Sequence, residues 1–577
     1  MAHCSSSKPP PNNPINHPTM NSPAPSVLVI GGSYAGLHAV ELLAQQLPSH
    51  WSVTLIERNT HFNHVYSFPR SAVVGNAHRN FIPYSAKINK LNQLHHSSNA
   101  HPRVRLINAA VTKIVDRKVF LDRMVDLQTH PVSSLHHSIS SSTNANSPPG
   151  SVFNDSGYAS SVNTQNPSSS TPDRQRPVSP SIEQIHPPPS TPAPPKTFQV
   201  KWDFLVYALG SHMPMPLHLP IDQPRSKQNG VAFLEAQKNL IAQAEKIVIV
   251  GGGALGIQYA CDIAHRYQLV GKPKHVTLIH SRTVFLPSFQ AEVDQKVKQA
   301  LDEFGVHVVL GERVNLAKLK ADLEVQKARE YERVKVESLS NENKRWEADL
   351  VLTCTGQTPN TSLMAQFCPL AVHGGAHNYQ GSSGLIRVNR ALQISPSRLG
   401  PSPVETPTGE PSACECGFAA LHIGPLAPAK EEINPSWKRV FAIGDCIDGF
   451  GAIKAGHVGW NQAEVAARNI LASIRHLEQN LPSHLAQEAS SDLPESQLEH
   501  YVPSTPMIKL TLGLVSFFIF SLLPDRVVTQ LPSSDDPSQV VVAEKVMPHD
   551  GGNGSAWKAM WNRHGLVDDD EILDGWA

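Results

Sequence analysis

Two glycine-rich turns about 220 residues apart are the part of this chain best suited to do chemistry: Gly31-Gly32-Ser33-Tyr34-Ala35-Gly36 and Gly251-Gly252-Gly253-Ala254-Leu255-Gly256. A helix N-terminus carries free N–H groups and the positive end of the helix dipole, and glycine lets a pyrophosphate come close to the backbone. Each turn follows an apolar run, Val27–Ile30 or Ile247–Val250, and leads into a stretch with apolar residues at helical spacing, His38–Leu47 or Ile257–His265. Unbroken β-branched and leucine residues are the pattern of strands buried in a parallel sheet. Strand, glycine turn and helix together make a dinucleotide site, and the chain has two.

The next strand separates the two sites. Val53–Ile56 ends in Glu57, whose carboxylate can take both hydroxyls of an adenosine ribose and repels a 2′-phosphate, which favours FAD or NAD over NADP. Ser33 stands where the fingerprint has its second glycine, and is expected to narrow the approach to the pyrophosphate. The second turn has all three glycines, Gly251, Gly253 and Gly256, and its following strand Val276–Ile279 ends in His280-Ser281-Arg282 without an acid. The Arg282 guanidinium suits a 2′-phosphate, so NADPH is expected there alongside NADH; the alternative is a solvated loop arginine.

Length and composition bound the rest. The 577 residues suffice for two or three domains. Lysine plus arginine and aspartate plus glutamate both number 49, so no global field draws in nucleic acid. Seven cysteines, scattered and without a CxxC, build no disulfide framework and fit a reducing, cytoplasmic setting. No histidine falls in a zinc spacing, and no metal is expected at His61 and His64. The first 25 residues, rich in Pro, Asn and Ser, read as a disordered arm without the apolar core of a secretory signal. Residues 129–198 read as a disordered insertion, since few apolar residues are present to offset ordering entropy. A proline-rich loop at 395–436 holds Cys414 and Cys416, and a polar linker spans 476–505.

Between these lie ordered blocks. Val104–Val111 and Lys118–Asp122 are expected strands, Trp202–Ser211 a buried strand running into a Gly-Ser turn, Ala291–Phe304 an amphipathic helix and Gly305–Leu310 a strand. Alternating strands and helices give an α/β fold. It comprises two Rossmann-like three-layer domains, the NAD(P) domain (231–358) inserted in an FAD domain (26–128, 199–230 and 359–475), with a small C-terminal α+β region at 506–577. Leu510–Leu523 is apolar over roughly 14 residues, short of the ~20 that span a bilayer. It is expected to close the third domain, or else to touch a lipid leaflet on mitochondria or lipid droplets. Asp568–Glu571 opposes contact with anionic lipid.

Three strings go beyond generic patterning. Asp203-Phe-Leu-Val-Tyr-Ala-Leu-Gly-Ser211, Asp349-Leu-Val-Leu-Thr-Cys-Thr-Gly-Gln-Thr-Pro-Asn360 and Val440-Phe-Ala-Ile-Gly-Asp445, in that order, resemble the strand motifs of the pyridine nucleotide–disulfide oxidoreductase superfamily. Within it the chain looks most like the apoptosis-inducing-factor-like and ferroptosis-suppressor-like flavoproteins, through His64–Arg70, Val276–Ser281, Gly444-Asp-Cys446 and Ser555–Met560. The resemblance implies FAD in the outer domain, NADH or NADPH as co-substrate in the inserted one, and delivery of electrons to a quinone or other small acceptor. It implies cofactor contacts from Gly31, Gly32, Ser33, Tyr34, Ala35, Gly36, Glu57, Arg70, Val111, Ala208, Gly210, Gly356, Gly444 and Asp445, and from Gly251, Gly253, Gly256 and Arg282 at the second turn. Asp445 would accept ribityl hydroxyls near a helix beginning at Gly456. Lys454 lies where relatives keep a lysine beside the isoalloxazine, or is a surface lysine. Gln258 stands where many relatives carry a glutamate near the nicotinamide, and an amide cannot act as a base there. Leu209 replaces a threonine. His61–Arg70 lacks the CxxxxC pair of the disulfide reductases, so electrons are expected to leave for an external acceptor. The competing reading is a redox-sensing or death-signalling flavoprotein that acts through nucleotide-dependent partner binding.

Overall fold

The computed structural model describes residues 24–94, 102–126, 196–213, 215–220, 224–326, 333–341, 343–373, 384–396, 435–480, 492–514, 525–534, 536, 539–547 and 555–566. The N-terminal arm, nearly all of the 129–198 segment, most of 395–436 with its two cysteines, residues 481–491 of the linker, 515–524 and the acidic end lie outside these residues.

Both apolar runs are central strands of parallel sheets. In the first sheet the spatial order is Val440–Ala442, Phe204–Tyr207, Ser26–Ile30, Ser52–Glu57 and Val104–Asn108. In the second it is His307–Val309, His275–Ile279, Lys246–Val250 and Leu350–Thr353, again all parallel. The registers match: Ser26 faces Ser52 and Ile30 faces Ile56 in one, while Lys246 faces His275 and Val250 faces Ile279 in the other. Side chains of Val27–Ile30 and Ile247–Val250 are buried, as strands covered on both faces require. The second sheet lies in sequence between the Phe204–Tyr207 and Val440–Ala442 strands of the first.

The helices after the turns begin earlier than periodicity suggests, at Tyr34 and Ala254, and run to Gln46 and Leu269. The first packs on the Gly456–Asn480 helix, where Gly459 lies so close to Ala35 that an added Cβ would sit 2.9 Å from the Ala35 methyl. Arg103 closes its far end by donating to the carbonyls of Ala44 (2.9 Å), Pro48 (2.6 Å) and Trp51 (3.0 Å), which satisfies carbonyls a helix end leaves open.

Several expectations are corrected. Val104–Val111 is two strands, Val104–Asn108 and Val111–Val115, the second pairing antiparallel with Lys118–Asp126. The insertion ends before Lys196, because Lys196–Lys201 is the third strand of that sheet. The helix Lys227–Gln243 crosses the boundary drawn at residue 231, its first turn capped by the Ser226 hydroxyl, which accepts from Asn229 N (3.2 Å). At the C-terminus, Ile508–Leu512, Asp525–Pro532 and Val540–Met547 form an antiparallel sheet. Leu510, Leu512 and Leu514 are buried in the core beneath the Ala254–Leu269 helix, so these three are not a lipid-facing surface. Among the described residues no helix is long and apolar enough to cross a membrane.

Candidate active site

Both glycine turns are built the same way. Gly31 (φ +97°) and Gly251 (φ +112°) take a backbone conformation that L-residues rarely adopt, and a Cβ on either would lie 2.4 Å from Ala208 O or 2.5 Å from Cys354 O. Gly36 and Gly256 each sit 1.8 Å from a carbonyl, Gly31 O or Gly251 O, at the position a Cβ would occupy. Backbone so tightly seated fixes the shape of each turn at the start of its helix, where a pyrophosphate cradle needs it. Ser33 has φ −79° and ψ −160°, and Gly253 has φ −80° and ψ 179°. The serine therefore occupies the same ordinary backbone state as its glycine counterpart, and its exposed side chain costs no strain.

The second strands meet their turns in equivalent ways with different chemistry. Glu57, buried, accepts from Gly32 N at 2.5 Å through one oxygen and from the Asn59 backbone N–H and side-chain amide, both at 2.8 Å, through the other. At the second turn the imidazole of His280, also buried, lies over Gly252, whose N–H is 3.1 Å from Nδ1. Receiving that bond requires Nδ1 unprotonated. Burial, and then Arg282, push the His280 pKa down, which agrees with a neutral ring. Arg282 itself is exposed, and Gly311 N donates to its carbonyl (2.9 Å).

A cleft of about 470 Å³ opens beside the first turn, lined by Gly31, Ser33, Glu57, Val111, Ala208 and Tyr84 among others. Tyr84 donates to Gly32 O (2.9 Å). The adenosine side of FAD fits: glycine backbone, a buried carboxylate, and buried polar atoms without a protein partner (Ser211 Oγ, Arg225 Nη2, Asn59 Oδ1) line one cavity.

The ends of the three motif strands gather at one place. Asn360 donates from its backbone to Gly210 O (2.9 Å) and from its side chain to Leu209 O (2.9 Å), and Tyr207 Oη donates to Asn360 O (2.6 Å). Gln357, next to Gly356, is hydrogen-bonded to Asp445, and Gly444 N donates to Gln462 Oε1 (2.7 Å). Burial raises the Asp445 pKa against the opposing pull of Lys454 and Gln357. Lys454 turns its ammonium to the Ile447 carbonyl; desolvation lowers its pKa while Asp445, Cys446 and Asp448 raise it. Asp445 and Lys454 thus lie near enough to act on each other's charge. Gln258 is half-buried on the Ala254–Leu269 helix, two residues past Gly256.

Arg70 is elsewhere. Its guanidinium forms a two-pronged pair with the fully buried Asp262 (2.9 and 3.2 Å) and donates to Gly513 O (3.0 Å). It ties the Phe68–Val74 helix to the helix of the second turn and to the C-terminal sheet, and is not a wall of the cleft. A buried aspartate needs a cation, and the nearest one folds back to it.

Sequence reasoning missed an aromatic wall on the other side of the first turn. Tyr34 Oη is 2.8 Å from His64 Nδ1, and its ring lies 5.0 Å from both Phe62 and Tyr66. Gly456 N donates to Tyr66 Oη (2.7 Å), yet the Tyr66 side chain is 53% exposed. Desolvation of its hydroxyl and then Asp445 push the Tyr66 pKa up to about 12, so it remains a neutral phenol. Trp460 donates to Tyr34 O (3.0 Å), and Arg563 of the Ser555–Arg563 helix lies 3.6 Å over the Trp460 ring. That helix is anchored by Trp557 to Asn80 Oδ1 (3.1 Å) and by Trp561 to Arg79 O (2.9 Å). The tail motif was visible, but nothing in its sequence says which surface it covers. Among the described residues no group of three or more metal-ligating side chains is present.

A profile of the "Pyridine nucleotide-disulphide oxidoreductase" family matches residues 172–394. "Fe-regulated protein 8" of Mycosarcoma maydis is 30% identical over 554 residues, 94% of this chain and 96% of that one. The chain belongs to the pyridine nucleotide-disulphide oxidoreductase family. This oxidoreductase is also 32% identical to human "Ferroptosis suppressor protein 1" over 33% of its own length and 46% of the relative's. Its fold is that of the sulfide:quinone oxidoreductase of Aquifex aeolicus (TM-score 0.50, 13% identity, 95% and 94% covered). It is an NAD(P)H-dependent flavin oxidoreductase with FAD as cofactor. The pair of like-built turns is what such an enzyme needs.

Proposed function

We propose that the chain holds NAD(P)H at the Gly251–Gly256 turn and FAD at the Gly31–Gly36 turn, and serves a small quinone-type acceptor rather than a disulfide. Bound FAD supplies the capacity to take up a hydride and to release electrons singly or in pairs. The protein's part is to seat pyrophosphates on two turns, orient ribityl hydroxyls through Asp445, and place a cation, Lys454, where negative charge develops. Gln258 orients a carboxamide without exchanging a proton.

The state of the thiols carries this reading. No cysteine lies in His61–Arg70, and Cys261, Cys354, Cys368 and Cys446 are all buried thiols. Burial raises the Cys354 thiol and pushes Cys446 up to about 12, so neither is a thiolate at neutral pH. Among the described residues electrons thus have no dithiol to enter. The exposed face of Tyr66, beside Asp445 and backed by Tyr34, offers a flat aromatic surface to a planar acceptor. The neutral His280 and nearby Arg282 support acceptance of NADPH as well as NADH.

Steady-state oxidation of NADH and NADPH by the purified flavoprotein, with a soluble ubiquinone analogue in one series and oxidised glutathione in another, tests the proposal. Turnover with the quinone and none with the disulfide is expected. Turnover with the disulfide, or flavin bleaching without turnover on any quinone, overturns it.

A further inference from the structure

The first cleft is lined by more basic side chains than acidic ones. Arg58, Arg225, His212 and His218 line it, and Glu57 is the one carboxylate among the lining residues. Both Glu57 oxygens already accept hydrogen bonds, from Gly32 and from Asn59. Arg58 lies near enough to act on the Arg225 guanidinium. Thr60 clamps the Arg225 carbonyl through its N–H (3.0 Å) and its hydroxyl (3.2 Å), which holds Arg225 against the 58–60 loop. Arg225 Nη2 is buried with no hydrogen-bond partner, as is Ser211 Oγ two positions after the end of the Ala208-Leu209 turn. The rings of His212 and His218 lie 4.1 Å apart. The strain of this crowding shows in protonation. Burial and then Arg58 push Arg225 down to about 10, and burial followed by His212, Arg225 and Arg58 pushes His218 down to about 4. A half-buried guanidinium with a donor unspent and a second arginine acting on it is costly unless an anion joins them.

We propose that Arg225, with Arg58 and the His212–His218 pair beside it, is an anion-receiving wall that grips the adenosine diphosphate half of FAD. The glycine turn supplies backbone donors to the pyrophosphate, and the two arginines supply charge. The inference rests on FAD occupying the first cleft. Glu57 then has the ribose to itself, and the Arg225 Nη2 and Ser211 Oγ donors acquire the partner they lack.

The test uses the full-length protein, wild type and the variants Arg225→Gln, Arg58→Gln and Glu57→Ala. FAD dissociation is followed by flavin fluorescence at low and high salt, and ADP serves as a competing probe. Arg225→Gln should weaken both FAD and ADP by about tenfold, the loss of one charge-assisted contact, and flatten the salt dependence. Arg58→Gln, at an exposed side chain, should flatten it less. Unchanged FAD and ADP binding in Arg225→Gln, with FAD weakened in Glu57→Ala, overturns the wall while leaving the cleft in place. If neither Arg225→Gln nor Glu57→Ala moves FAD, the cleft assignment itself fails and the wall with it. Should Arg225→Gln melt early without flavin, Arg58→Gln decides, since a wild-type salt slope there overturns the proposal.

Discussion

The two glycine turns share a backbone and differ in the group that lies over it. In each, a first glycine at positive φ presses on the neighbouring strand, a last glycine presses on the first, and the middle N–H meets a buried side chain from the next strand. At the first turn that side chain is Glu57, a carboxylate; at the second it is His280, a neutral imidazole. Steric fit is therefore common to both, and chemical selection is the part that has diverged. A carboxylate there accepts ribose hydroxyls and excludes a 2′-phosphate, while a neutral ring excludes neither.

The comparison depends on both turns being held in one body, and the largest expected effect tests that. Arg70→Ala leaves Asp262 buried without its cation and should cost about 3–5 kcal/mol in urea unfolding. Arg70→Met with Asp262→Leu should recover most of it; no recovery would mean that the pair does more than satisfy a buried charge.

Next come the turns themselves. Gly31→Ala and Gly251→Ala should each cost about 3 kcal/mol, from strained φ and a Cβ driven against a carbonyl. Flavin should be lost in the first and NAD(P)H affinity in the second. A large difference in stability cost between the two would break the claim that the backbones are equivalent.

A smaller effect reads selection directly. His280→Glu puts at the second turn what the first already has, and should shift preference from NADPH toward NADH by about tenfold in kcat/KM, roughly 1.4 kcal/mol. An unchanged ratio would move the selection to Arg282. The smallest is Ser33→Gly, which should change stability by under about 0.5 kcal/mol and leave FAD binding as it was. The φ of Ser33 is one that any residue adopts, so the serine imposes no backbone strain on the turn.

The cradles were legible because they are local. Glycine spacing, the apolar strands and Glu57 lie within about thirty residues of one another, and each acts through backbone its neighbours fix. Arg70 was misplaced for the opposite reason. Its partner Asp262 is 192 residues away, and the motif that suggested a cofactor contact says nothing of a buried aspartate elsewhere. The aromatic wall likewise joins Tyr34, Tyr66, Trp460 and Arg563 from distant segments.

By itself the sequence determined two strand–glycine-turn–helix units on parallel sheets, the acid at one and its lack at the other, and the absence of a cysteine pair from His61–Arg70. Those are properties of residue type and short spacing, which local sterics and hydrogen bonding convert directly into structure. Only the tertiary structure decided that His280 takes the place of Glu57, that Arg70 serves Asp262, that Arg225 faces the first cleft, and that Leu510, Leu512 and Leu514 are core. Each is a pairing across long stretches of chain, selected because a buried charge, an open donor or an apolar side chain has to find its partner in three dimensions.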